Sequence, residues 1–371
     1  MALYRVISTD LRTGTRIAEL PLNGLRYSSV LNGAGELSGT LPLPVNDPDL
    51  AQIYNDAVDE VRRQIVVERD GVPVWCGVVW ASPYEDEGQT RDVRAAETWS
   101  YYRKRTIGTR RVYKATDQLT IARQLVTDAN AVSGGDIGVT VGTETCGVTR
   151  EFGAEVWERK NVAEEIEAMT ELANGFDFSI DPSWDTSGNL VKNLRFWYPR
   201  KGRRFDLTGH VFEVGRNNVI GWDWPSDGTR YANRIIVTGA GDGQATKSAV
   251  RTNTDATLAV SAGGPGYPLI EEVISESQEA VQATLNARAN KALNTFSQPV
   301  VVPRLVVRGD VDPIFGAYTI GDAVRFICQP GLSPRFPEGV DTYRRIVGWT
   351  VNVDDTGSEE IELVLGVEDN S

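Results

Sequence analysis

The chain has 371 residues, enough for two or three domains with sizeable cores. Lys and Arg total 38 against 51 Asp and Glu, a formal charge of −13 with 41% hydrophobic residues, which excludes a disordered tail and a generic basic nucleic-acid binder. One histidine, three cysteines and two methionines leave little for metal or acyl-transfer chemistry, which draws on those residues.

The first hundred residues read as antiparallel β structure. Alternating segments at Tyr4 to Ile7 and Ile17 to Leu20 precede the Gly-rich stretch Leu31 to Leu43, whose glycines suggest tight turns and bulges. Gln64 to Glu68 and Val72 to Trp80 flank Asp70-Gly71, a hairpin signal because both turn residues tolerate positive φ. The acidic turn Glu85, Asp86, Glu87, Gly88 leads into a strand from Arg91. After Trp99 comes a basic and aromatic run, Tyr101 to Arg105 with Arg110, Arg111, Tyr113 and Lys114, which reads as a solvated connection or an inter-subunit salt-bridge surface rather than a phosphate site.

Two amphipathic helices follow. Thr116 or Asp117 caps the stripe Ile121, Leu125, Ala129, and Asn161 caps Val162, Ile166, Met169, Ala173; Glu164, Glu165, Glu167 and Glu171 are expected on the solvated face. Phe176 to Ile180 and Leu194 to Tyr198 read as partner strands, with a basic turn up to Arg204. Val211 to Val214, Val219 to Trp224 and Arg234 to Thr238 return to β character, and Gly239 to Gly266 is expected to be a long irregular loop. Ser275 and Gln278 make a capping box for a helix striped by Val281, Leu285, Ala289, Ala292 and Phe296. The remainder is β again: Val300 to Val307, Ala323 to Cys328, Arg345 to Val353 and Ile361 to Val367, the last alternating as a half-buried strand does.

Chemistry is sparse. Gly239, Gly241 and Gly243 have the wrong spacing for a dinucleotide loop, no P-loop exists, and His210 stands in a turn without companions, so no cofactor, metal or catalytic residue is expected. Paired acids such as Asp354-Asp355, or Asp181 with Asp185, lack any sign of a sugar cleft between them. Cys76, Cys146 and Cys328 form no C-x-x-C pair and read as buried thiols of a protein made in a reducing cytoplasm. Neither a signal peptide nor a membrane-spanning run is expected. A weak internal echo remains: Gly77 to Trp80, the turn Glu85 to Gly88 and the strand from Arg91 resemble Gly348-Trp349 to Val353, the turn Asp354 to Gly357 and the strand from Glu360, as a duplicated β domain or a chance likeness of two hairpins would give.

Leu20 to Leu43, Val67 to Trp80 and Glu97 to Arg105, with Tyr231 to Gly239 and Tyr318 to Phe326, resemble the minor tail proteins, or tail-tip hub proteins, of long-tailed phages infecting actinobacteria. The resemblance implies a mainly β chain with α+β insertions: two tube-like antiparallel β-barrel domains, 1–107 and 206–240 with 301–371, an α+β middle domain 108–205, and an inserted loop and helix 241–300. It implies a homotrimer that continues a six-fold tail tube in pseudo-six-fold form at the virion tail tip. The distal tail protein, the tape measure protein and other tail-tip or receptor-binding proteins would be its partners, and phage DNA would pass without specific binding. Glu85, Asp86, Glu87, Asp354 and Asp355 are then candidates for acidic turns facing the lumen, where they would repel phosphate. Two other readings are a carbohydrate- or receptor-binding tail protein, suggested by nine tryptophans and twelve tyrosines, and a peptidoglycan-degrading tail enzyme.

Overall fold

The computed structural model describes residues 2–225, 228–229, 231–253, 268–277, 279–297, 303–354 and 357–367. Its largest element is a 14-stranded sheet to which both ends of the chain contribute. The N-terminal part supplies β1 (Tyr4–Asp10), β2 (Asn23–Val30), β3 (Glu36–Pro42), β4 (Arg63–Arg69), β5 (Val72–Ala81) and β6 (Thr90–Glu97). The C-terminal part supplies β7 (Val211–Glu213), β8 (Val219–Asp223), β9 (Arg304–Arg308), β10 (Ala323–Cys328), β11 (Val340–Val353) and β12 (Glu359–Val367). Strand Arg16–Glu19 and the short pair at Tyr84–Glu85 complete it.

The β4–β5 hairpin forms as expected, with Asp70 at φ 52° and Gly71 at φ 82°, the left-handed values a two-residue turn requires. Alternation sets the faces of the sheet. Tyr27, Leu37, Val93, Val351, Ile361, Leu363 and Leu305 point into one hydrophobic core, and the residues between them point away. That core is continuous across both parts of the chain.

The strand order is duplicated. From one edge the N-terminal half runs β1-β4-β5-β6-β3-β2, and the C-terminal half runs β7-β10-β11-β12-β9-β8, so strands occupy the same places in the same chain order. The ladder slips at the same point in both: β5–β6 breaks between Val79 and Ala81, and β11–β12 between Ile346 and Gly348. This places Ala81 in the position of Gly348, and Trp80 rather than Gly77 beside the bulge. The sequence echo is therefore present but in a different register, and the Gly-Trp pairs are not equivalent positions. The halves join where β2 pairs antiparallel with β11, Tyr27 opposite Val351. The path stays open among the described residues: β2, the last strand of the first half, pairs with Gly348 to Asn352 of β11, beyond the part of that strand that β10 covers, so the two β regions join in one sheet instead of closing as separate barrels.

Between the halves, helices α2 (Gln118–Ala131) and α3 (Val162–Thr170) pack against a sheet of Val139–Val141, Leu190–Trp197 and Asp177–Trp184, with Phe178 opposite Phe196. Asp117 and Asn161 cap them as expected, each accepting two backbone N–H groups. A helix that the hydrophobic pattern did not reveal, α1 (Pro48–Ala57), is started by Asp47 accepting from Leu50 N and by Pro48 in its first turn.

Helix α4 (Gln282–Phe296) buries Leu285 and Ala289 as expected, but not behind a Ser275–Gln278 capping box. Ser275 ends a strand, Glu271–Ser275, that pairs in parallel with Arg234–Thr238, and Gln278 lies outside the described residues; α4 starts at Val281 with no side-chain cap. The stretch expected as a loop contains strand Ser248–Thr252, the other neighbour of Arg234–Thr238, while 254–267 lies outside the described residues. Amide ladders made this sheet from segments too polar to announce themselves by hydrophobicity.

Candidate functional site

The face of the long sheet turned away from the core carries rows of polar side chains where the two halves join. Cross-strand pairing puts Asn352, Arg26, Ser38 and Arg94 in one row and Thr350, Ser28 and Glu36 beside them. The C-terminal half continues the face with Glu360 opposite Arg308 and Glu362 opposite Val306. Its charges are interleaved: Arg304 reaches Glu362 at 3.6 Å, Arg94 reaches Asp92 at 3.9 Å, and Arg308 binds Asp310 at 2.9 Å. The Arg308 guanidinium holds the Asp310 carboxyl below its usual range.

The sequence-derived acidic turns lie at the ends of the two equivalent hairpins. Successive antiparallel pairings from β5 through β6, β3 and β2 to β11 make β5 and β11 run the same way, so both turns project from the same end of the sheet. Glu85, Asp86 and Glu87 are exposed; Glu85 pairs with Thr90, and Asp86 Oδ1 accepts from the Tyr84 hydroxyl at 3.0 Å. Asp354 is exposed and its Oδ1 accepts from Ser358 N at 2.8 Å, whereas Asp355 lies outside the described residues. The face residues Arg26, Glu36, Asp92, Arg94, Glu360 and Glu362 were missed as a set because alternation reveals two faces of a strand but not which strands lie side by side.

The basic runs are engaged within the chain. Arg103 binds Glu167 at 3.0 Å, Arg110 binds Glu155 at 2.8 Å, and Arg111 makes a two-pronged pair with Asp128 at 2.6 Å. In the second run Arg195 binds Glu144 at 2.8 Å and Arg203 binds the buried Asp322 at 2.6 Å. Glu167 also accepts from Trp99 Nε1 at 2.8 Å, and burial raises the pKa of Glu165, so the acidic face of α3 is partly built in rather than simply solvated. Trp75, Trp99, Tyr27 and Tyr102 are core residues. His210 Nε2 lies 3.1 Å from the Ala317 carbonyl, and no cluster of three or more possible metal ligands occurs among the described residues. No helix among them is long and apolar enough to cross a membrane.

No family model and no curated protein matches the chain. Solved structures share its fold across nearly the whole length. A 43 kDa tail protein of prophage MuSo2 from Shewanella oneidensis superposes with a TM-score of 0.60 at 13% identity, covering 98% of each chain. A tail protein from Neisseria meningitidis gives 0.59 at 14% identity, covering 98% of this chain and 96% of the other. Prophage tail protein gp18 from Listeria monocytogenes gives 0.54 at 12% identity, covering 98% and 95%.

Proposed function

We propose that this chain is a structural hub protein of a phage tail tip. Three copies form a ring that continues the tail tube, match six-fold to three-fold symmetry, dock neighbouring tip and receptor-binding proteins, and let DNA through at ejection. The observation that carries this reading is the duplicated half-sheet: each chain contributes two equivalent units already joined side by side, so three chains supply six. The edge strand β8 and the Tyr84–Glu85 end of the first half are the counterparts of β2 and of the C-terminal part of β11, which are joined inside the chain. A neighbouring copy meets them head to tail, and such contacts form a ring when the rotation closes.

The polar face then lines the channel and the acidic turns form its rim. Purified protein should sediment as a trimer and show a six-lobed ring in cryo-EM class averages; a monomer at all concentrations overturns the assignment. Reversing the charges of Glu85, Asp86, Glu87, Asp354 and Asp355 should slow DNA ejection without blocking tail assembly. Unchanged ejection kinetics would remove the rim from the mechanism while leaving the ring.

A further inference from the structure

A cavity of about 320 Å³ opens where the two halves of the sheet meet the middle α+β unit, within the size range of small-ligand sites. Its walls include Trp75, Trp99, Phe178, Phe315 and Trp349. The charged groups on it are unequal. Arg69 is taken by Glu359 at 2.5 Å, and Lys201 by Asp181 at 3.3 Å and by the Ser179 hydroxyl at 2.6 Å. Glu97 has no such cation among the described residues: Oε1 accepts from Ser29 Oγ and Oε2 from Gly35 N, each at 2.6 Å. Each oxygen keeps a lone pair. Tyr318, also on the wall and 2% exposed, has a buried hydroxyl with no hydrogen-bond partner.

We propose that this cavity binds an arginine side chain presented by a neighbouring protein chain, its guanidinium on the Glu97 carboxylate and its stem among the aromatic walls. A planar fork suits the two free lone pairs of Glu97, offers a further N–H to the Tyr318 hydroxyl, and stacks favourably on indole faces. Electrostatics agree with the geometry. Burial pushes Glu97 up to about 7 against the hydrogen bonds from Gly35 and Ser29, so the empty cavity holds acid and carboxylate in comparable amounts near neutrality and a bound cation favours the carboxylate.

The probe is N-acetyl-arginine amide, titrated into the purified full chain and followed by the fluorescence of the three cavity tryptophans. N-acetyl-citrulline amide serves as its neutral isostere. Saturable arginine binding that strengthens about tenfold between pH 6 and 8, with citrulline at least about tenfold weaker, is the expected result. Glu97→Gln should abolish both the preference and the pH dependence. Tyr318→Phe should weaken binding about two- to tenfold and keeps the test decisive if the Glu97 variant does not fold. Citrulline binding as well as arginine, no saturation by millimolar arginine derivative, or unchanged affinity in Tyr318→Phe overturns the proposal.

Discussion

The two halves of the long sheet are built to one plan and finished differently. In the first, β4 and β5 are closed by a two-residue turn and β3 runs through α1 into β4 within a short span. In the second, β8 and β9 are separated by the sheet and helix of residues 234–296, yet they pair as β2 and β3 do. Strand order thus survives an insertion of that size because the ladder needs only its edges free, and closing a longer loop adds little entropy cost. The first strands differ as well: β1 lies antiparallel to β4, whereas the shorter β7 lies parallel to β10.

The join between the halves is the place to break the comparison. Glu359, at the start of β12, receives both Arg69 from β4 at 2.5 Å and the Tyr4 hydroxyl from β1 at 2.5 Å, and its side chain is only 5% exposed. Glu359→Ala removes the two-pronged partner of Arg69, leaving it only the exposed Asp70 carboxylate at 3.4 Å, and should cost about 3 kcal/mol in urea unfolding. A loss below about 1 kcal/mol would show that the halves do not depend on this link.

A second test sets a crowded glycine of the first half against a roomier one of the second. Gly77 corresponds to Arg344, since Ile65 faces Gly77 and Val324 faces Arg344. A Cβ on Gly77 would come 2.4 Å from the Ala96 carbonyl, beneath the Trp75 ring, although its counterpart carries a full arginine side chain. Gly77→Ala should therefore destabilise by about 2–3 kcal/mol. Gly348→Ala, whose Cβ would sit 3.2 Å from the Ser29 carbonyl, should cost about 1 kcal/mol or less in the same measurement. Equal losses would mean that the first half tolerates the crowding as well as the second.

The smallest effect concerns the junction between copies. Within the chain Asn352 faces Arg26. In the proposed ring the equivalent residues across the junction between copies would be Glu85 and Asp223, two acids. Replacing both, Glu85→Gln with Asp223→Asn, should favour the ring by about 0.2–1 kcal/mol, read as a severalfold lower trimer dissociation constant by sedimentation. Weaker assembly in that variant would place the junction elsewhere.

Much of this architecture is written locally. Asp70-Gly71 fixes a hairpin by its φ preference, Asp117 and Asn161 start helices by accepting N–H groups, and alternation of Ile361, Leu363 and Leu365 fixes the buried face of β12. The repeated acidic turns were visible too, and they do close equivalent hairpins. Other features depended on residues far apart in the chain. Hydrogen bonds of a β ladder are made by the backbone, so residues declare which face is buried but not which strand lies alongside. The sequence by itself determined most strands, two of the helix caps and the main turns. Only the tertiary structure decided that β2 lies on β11, that Glu359 closes on Arg69 and Tyr4, and that the arginine-rich runs find their acids within the same chain. Such pairings are selected by shape and burial over the whole molecule, and no local pattern of residues encodes them.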